Sequence, residues 1–295
     1  MIRRLPHVDR VGIEERAAVL GRRSIKTTAK QEGIRLAVSM LDLTTLEGAD
    51  TPGKVRHLCA KAVCPAPTMP EIPSCAAVCV YPSLAGVARE ALENTGVRTA
   101  SVATAFPSGQ ASLEVKLRDT EDALAAGADE IDMVISREAF LAGEDTRVME
   151  EIVRVKEACG DAHLKVILET AELGSYDHVR HASLLAMEAG ADFIKTSTGK
   201  AASGATPGVT LVMLEAIRDY MERTDRPVGM KAAGGVSTSK AALHRLVLVK
   251  ETLGDEWLSP DRFRIGASSL LNDLLMQYQK TETGRYARPE AFSRE

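Results

Sequence analysis

Cysteine is sparse in this chain: five residues in 295 (Cys59, Cys64, Cys75, Cys79 and Cys159), an odd number with no CxxC pair. That pattern argues against a disulfide framework and a structural zinc site, and it suits a reduced cytosolic setting. Long apolar runs are missing too, since none approaches the roughly 20 residues that a membrane helix needs. The opening MIRRLPHVDR lacks the apolar core of a secretory signal. Nor does one sign of charge dominate. Lys and Arg total 37 against 41 Asp and Glu, a net charge of -4, so no broad field draws the protein to nucleic acid or to a membrane.

What is present is the composition of an ordinary globular protein, 45% hydrophobic and 26% charged. The length fits two average domains or one large α/β barrel of about 250 residues. After a basic opening segment one unit repeats: a short apolar strand, a loop, then an amphipathic helix. The apolar and β-branched runs predict strands at 36–43, 76–81, 100–106, 130–135, 164–170, 193–197, 228–232 and 263–267. Thr51-Pro52 and Thr206-Pro207 each read as an N-cap and a first helical residue. Thr238 caps a helix running to Gly254, and Gly127 stops the helix marked by Leu113, Leu117 and Leu124. Eight such units imply an α/β fold closed as a (β/α)8 TIM barrel. A doubly wound open sheet with a second domain is the alternative, but no linker or composition shift divides the chain. The expected organisation is a helical N-terminal extension over 1–35, with a short helix around Ile13 to Arg23, a barrel over 36–281, and a mobile or draped tail over 282–295. The proline-rich insert Cys64 to Ser74 is expected to be a loop.

The active site of such a barrel lies at the C-terminal ends of its strands. Asp42, Cys79, Asp132, Lys165, Glu169, Lys195 and Lys231 fall in or near those ends. Lys195 sits inside FIKTSTGK (193–200), an apolar strand run. Burying an ammonium is costly, and a buried lysine tends to lose its proton and become a nucleophile. Lys231 is expected on the adjacent strand, where two ammonium groups repel and one gives up its proton. Asp132 or Asp42 can accept and return protons. This is the equipment of Schiff-base chemistry on a carbonyl. Two plainer readings stand beside it: a lysine on an exposed strand, and a buried Lys–Asp network that only fixes the barrel interior. Three glycine-bearing loops add a second signal. Gly199 and Lys200 follow the sixth strand, Gly234-Gly235-Val236-Ser237 the seventh, and IGASSL with Ser268 and Ser269 the eighth. Loops after strands seven and eight, with a helix N-terminus, are a recurrent phosphate cradle, so the expected ligand is a small phosphorylated carbonyl compound. A metal-dependent aldolase would need a histidine cluster. The six histidines (His7, His57, His163, His178, His181 and His244) fall in the extension, in helices or at a strand start, and no metal site is expected.

On LDLTTL (Leu41 to Leu46), VCVYP (Val78 to Pro82), DEIDMVI, LKVILET, DFIKTSTGK and RIGASSLL, the chain resembles the 2-deoxyribose-5-phosphate aldolase family from about Leu36 to Tyr286. DFIKTSTGK is the most specific of these motifs, and the extension and the GRYA tail look like the longer, eukaryote-like forms. The resemblance implies a class I, Schiff-base-forming barrel enzyme that reversibly cleaves 2-deoxy-D-ribose 5-phosphate to glyceraldehyde 3-phosphate and acetaldehyde. It implies Lys195 as the Schiff-base lysine, with Lys231 and Asp132 as the proton relay. Asp42, Cys79, Lys165 and Thr196 become pocket residues, and Gly199, Lys200, Gly234, Gly235, Ser268 and Ser269 the phosphate pocket. It further implies no cofactor, small phosphorylated sugar and aldehyde substrates, no nucleic-acid or membrane partner, and a cytoplasmic homodimer or other homo-oligomer. The chain departs from the family pattern at Ser237, commonly an arginine, at Ala171, commonly a glycine, and at Gly204, commonly an asparagine. The C-terminal tyrosine of the short form is also absent. These departures keep two alternatives open: a related Schiff-base aldolase acting on another phosphosugar, and a phosphosugar-binding barrel without catalysis.

Overall fold

Two helices, α1 (Arg10–Gly21) and α2 (Thr27–Ser39), precede the first strand in the computed structural model, which describes residues 7–201, 204–288 and 291–293. The first six residues of the expected extension, and Arg294 and Glu295 of the tail, lie outside the described residues. Then come β1 (Leu41–Thr44), α3 (Pro52–Val63), β2 (Ala77–Val80), α4 (Pro82–Ala91), β3 (Arg98–Ala103), α5 (Leu113–Ala125) and β4 (Glu130–Val134). The chain continues through α6 (Arg137–Leu141), α7 (Asp145–Cys159), β5 (His163–Ile167), α8 (Tyr176–Glu188), β6 (Phe193–Lys195) and α9 (Pro207–Thr224). It closes with β7 (Gly229–Ala233), α10 (Ser239–Leu253), β8 (Phe263–Ala267) and α11 (Leu270–Thr283). Each strand pairs in parallel with its neighbour in sequence, and β8 closes on β1. The fold is the (β/α)8 barrel that the repeat implied.

The helix starts follow the local chemistry. Thr51, Thr206 and Thr238 accept from the backbone N–H groups of Lys54, Val209 and Ala241, satisfying donors that the first helical turn leaves unpaired. Pro52 and Pro207 occupy first-turn positions where no N–H is needed. The insert 64–74 contains neither helix nor strand.

Two boundary expectations are corrected. The apolar run 36–43 is not one strand, because Leu36 to Ser39 finish α2, where Ile34, Ala37 and Val38 form the buried stripe. A short buried run reads the same in either element, and here the i, i+3, i+4 spacing wins. The extension is therefore two helices, which pack on the outside of the barrel against α9, α10 and α11. The third and fifth strands also stop before their apolar runs end. Thr104, Ala105 and Glu169 take positive φ (64°, 59° and 54°), and a left-handed residue cannot continue a ladder. At the far end, Tyr286 lies over Lys280 Nζ at 3.8 Å, and Phe292 packs against the core. Lys61 Nζ donates to the Ser293 carbonyl at 2.9 Å. Among the described residues no helix is long and apolar enough to cross a membrane.

Side chains alternate across each strand. The outward set is apolar and joins the helices in one core: Leu41 and Leu43, Ile131 and Met133, Leu164 and Val166, Met230 and Ala232, Phe263 and Ile265. The inward set is divided. β2 and β3 contribute a small apolar cluster of Ala77, Cys79, Ala100 and Val102. The other strands contribute charges: Asp42, Glu130, Asp132, Lys165, Lys195, Lys231 and Arg264, each at most 2% exposed.

A second buried charge lies outside the barrel wall, between α5 and α7. Lys116 is fully buried, and its ammonium donates to Ser136 Oγ and, at 2.8 Å, to Glu151 Oε2. Removing one member strands the other. Glu151→Ala is expected to cost about 3–5 kcal/mol of unfolding free energy by denaturant titration, whereas the paired change Lys116→Met with Glu151→Leu costs far less. Equal losses in the two variants would contradict this account of the pair.

Candidate active site

The charges inside the barrel are placed by strand register. Lys195 pairs in register with Lys231 on the neighbouring strand, and Asp132 with Lys165. From these positions three ammonium groups converge on Asp132. Lys195 Nζ and Lys231 Nζ lie 2.7 and 2.8 Å from its Oδ2, and Lys165 Nζ lies 2.9 Å from Oδ1. Lys231 also reaches Asp42 Oδ2 at 2.6 Å. Gly266 leaves room for this arrangement, because a Cβ there would stand 3.0 Å from Lys231 Cε.

The neighbours shift the three amines in different directions. Burial is the largest influence on Lys195 and pushes it below the ordinary lysine range. Asp132 pulls the other way, and the Lys231 charge adds to the depression. Burial also disfavours charge on Lys231 and Lys165, but paired carboxylates outweigh it. Asp132 and Asp42 raise Lys231, while Asp132 and Glu130 raise Lys165. Burial disfavours ionised Asp132 as well, yet Lys165, Lys195 and Lys231 hold its carboxyl well below the ordinary range. Lys195 is thus the poised amine and Asp132 a fixed anion beside it. Cys79 Sγ lies 3.9 Å from Asp132 Oδ2, and burial, with the carboxylate alongside, pushes the thiol up to about 11. At neutral pH it is a packed thiol rather than a nucleophile.

Above this floor a cavity of about 410 Å³ opens at the C-terminal ends of the strands. Lys195 and Lys231 line its base. Its rim carries Gly199 and Lys200 after β6, Gly234, Gly235 and Ser237 after β7, and Ser268 and Ser269 before α11. Gly234 and Gly235 take consecutive positive φ values of 80° and 92°, a turn that residues with side chains resist. Asp42, Asp132, Cys79, Lys165 and Thr196 do not line the cavity. They are fully buried beneath or behind it. Thr196 Oγ1 donates to the Ala233 carbonyl at 2.6 Å and accepts from the Ala233 N–H, tying the β6 loop to β7.

Two residues carry roles that the sequence reading did not assign. Glu169, buried and left-handed, accepts from the backbone N–H and the hydroxyl of Thr198. Thr198 Oγ1 in turn accepts from Lys200 N, so one carboxylate anchors the loop bearing Gly199 and Lys200. A glutamate at the end of an apolar strand run was the available signal. Lys54, in the first turn of α3, lines the same cavity and is held by Asp50 Oδ1 at 2.7 Å. Lys200 is held in the same manner by Glu47 Oε1 at 2.7 Å. The rim therefore has two cations even though Ser237 stands where an arginine was expected. Gly204 also has a local reason, since a Cβ there would lie 2.0 Å from Ser197 Oγ and 2.7 Å from Thr170 Oγ1. Among the described residues no group of three or more His, Cys, Asp or Glu side chains is arranged to hold a metal ion.

Comparison with known proteins bears on the fold and the family. Residues 36–276 match the DeoC/LacD family aldolase. A mouse deoxyribose-phosphate aldolase is 49% identical over 279 residues, which span 91% of this chain and 88% of the mouse protein. A crystal structure from Toxoplasma gondii, named provisionally as a deoxyribose-phosphate aldolase, superposes with a TM-score of 0.77 at 25% identity, covering 88% of this chain and 99% of that one. The tetrameric deoxyribose phosphate aldolase of Aeropyrum pernix gives a TM-score of 0.66 at 27% identity, covering 86% of this chain and 93% of its own. With a closed parallel barrel, a lysine pair on one carboxylate and a family match across the barrel, the chain belongs to the DeoC/LacD aldolase family.

Proposed function

We propose that the protein reversibly cleaves 2-deoxy-D-ribose 5-phosphate to D-glyceraldehyde 3-phosphate and acetaldehyde through a Schiff base on Lys195, in the breakdown of deoxyribose phosphates. The observation that carries this reading is the sharing of Asp132 by Lys195 and Lys231 at the base of a cavity with a cationic, glycine-built rim. Neutral Lys195 attacks the C1 aldehyde of the open-chain sugar. The carbonyl oxygen takes up one proton from the attacking nitrogen and one from the Lys231–Asp132 pair and leaves as water, giving an iminium. The iminium draws electrons toward C2, and the C2–C3 bond breaks as Asp132, through a water, removes the C3 hydroxyl proton. Glyceraldehyde 3-phosphate departs with C3 as its new aldehyde carbon. The enamine on Lys195 takes a proton at C2 from the same relay, and hydrolysis frees acetaldehyde and the amine.

The rim suits the phosphate end of this substrate. Ser268 and Ser269 stand at the start of α11, where unpaired N–H groups and the helix dipole favour an anion. Lys54 and Lys200 lie within reach of the same space, each paired with one carboxylate, Asp50 and Glu47 respectively. Ser237 motivates a second reading, a related aldolase acting on a different phosphosugar, because an uncharged residue at the rim can widen the choice of anion. All five cysteines stand as free thiols, which suits a cytoplasmic setting. A homodimer or other homo-oligomer is the expected assembly, as in the tetrameric relative.

Borohydride added during turnover is expected to leave a reduced two-carbon adduct on the peptide containing Lys195, seen by mass mapping. Lys195→Ala loses about 10³-fold or more in kcat, and Asp132→Asn about 10² to 10⁴-fold. An adduct on another lysine, or full activity in Lys195→Ala, would sink the mechanism. Lys200→Ala and Lys54→Ala are each expected to raise KM for the phosphorylated sugar about tenfold or more, with little change for unphosphorylated deoxyribose. Equal effects on the two sugars would remove these residues from phosphate binding.

A further inference from the structure

The proton relay does not end at Asp132. Beneath it, toward the N-terminal floor of the barrel, lie Glu130 and Arg264, both buried to within 1%. Glu130 is two residues before Asp132 on β4, about 7 Å lower along the strand. Arg264 Nη2 donates to Glu130 Oε1 at 2.9 Å, and its Nη1 to Asp42 Oδ1 at 2.7 Å. Lys165 Nζ bridges the layers, 2.5 Å from Glu130 and 2.9 Å from Asp132. The floor and the reacting amine therefore belong to one continuous cluster of ion pairs.

The charges in that cluster do not match in number. Lys165, Lys195, Lys231 and Arg264 face Asp42, Glu130 and Asp132, four cations against three carboxylates. They are also unequally served. Lys165, Lys231 and Arg264 each contact two carboxylates at 2.9 Å or less. Lys195 contacts one, the carboxylate already shared with two other ammonium groups. A desolvated cluster carrying a surplus positive charge sheds it from the site that holds its proton least firmly. Arg264 cannot be that site, because a guanidinium stays protonated. We propose that Glu130 and Arg264 are positioning residues of the reaction, a floor pair that fixes the charge balance of the barrel so that Lys195 is the cation left over.

The other groups facing the cluster do not alter this count. Cys79 on β2 is a neutral thiol. Arg98 on β3 and His163 on β5 approach Glu130 only from the partly exposed rim, at 3.6 and 4.0 Å, and Arg98 also meets Asp261 there at 3.5 Å. The proposal rests on the Schiff-base reading of Lys195, and it makes a signed forecast that a structural role would not. Adduct formation needs the neutral amine, so its rate rises with pH through the ionisation of Lys195. Glu130→Gln removes a negative charge, favours the neutral amine, and moves that limb to lower pH. Arg264→Met removes a positive charge, lets Lys195 keep its proton longer, and moves the limb to higher pH.

The test is the initial rate of adduct formation on Lys195, measured from pH 5 to 10 on the full chain with acetaldehyde and cyanoborohydride and read by mass mapping. The expected result is displacement of the limb by about one pH unit in opposite directions in Glu130→Gln and Arg264→Met. The double variant is expected to return near the parent limb, and Arg264→Lys, which keeps the count, to stay there. If Arg264→Met does not fold, Lys165→Met removes the same charge and carries the same upward displacement. Limbs that stay in place, or that move in the same direction while rates fall, would overturn the floor pair and leave the Schiff base standing. Absence of a Lys195 adduct in the parent protein would instead overturn the Schiff-base reading, and the floor pair with it.

Discussion

Asp132 is the point on which the barrel interior turns. An isolated buried carboxylate would take up a proton or unfold its surroundings, but three lysine nitrogens within 2.9 Å hold this one well below the ordinary carboxylate range. The carboxylate in turn helps those buried lysines to be tolerated. The arrangement is not symmetric, since Lys165 and Lys231 have second carboxylates and Lys195 has none. Local inequality in a low-dielectric space, rather than any special property of one lysine, pushes the Lys195 amine below the ordinary lysine range beside an ionised carboxylate.

The fold makes that inequality affordable. Helices bury the outward faces of all the strands in one apolar core, so the stability of the barrel does not depend on its interior being apolar. β2 and β3 fill their part of the lumen with small apolar side chains, leaving the remaining strands to carry charge. Register then sets adjacency: Lys195 opposite Lys231, and Asp132 opposite Lys165. The loops above are held by short side-chain bonds, with Thr196 fastened to Ala233 and Thr198 to Glu169. The rim of the cavity is thereby fixed relative to its base, and reacting groups held in place lower the entropic part of a barrier.

Much of this was legible in the sequence. Eight apolar runs alternating with capped helices led directly to the closed barrel, and lysines inside apolar strands marked Lys195, Lys231 and Lys165 before any geometry was available. The run 36–43 misled because α2 ends in apolar residues immediately before β1, and periodicity over a few residues cannot separate the two. Glu130 and Arg264 gave no sign of belonging with the lysines. Each is an ordinary charged residue near a strand start; alternation along β4 sets Glu130 under Asp132, but only the closure of the barrel brings Arg264 of β8 to it. Lys54 was hidden for a related reason: its helix follows β1 in sequence, yet its first turn faces loops that come after β6, β7 and β8. Long-range convergence of this kind has no local signature.

The central claim is that the interior pushes Lys195, and not its neighbours, below the ordinary lysine range. Carbon-13 NMR of protein labelled at lysine Cε, with Lys195→Met used to assign the resonance, follows each buried amine as pH is raised. The account predicts that Lys195 titrates below the ordinary lysine range while Lys165 and Lys231 remain charged throughout. Titration of Lys195 with the surface lysines, or loss of the Lys231 proton before that of Lys195, would contradict it.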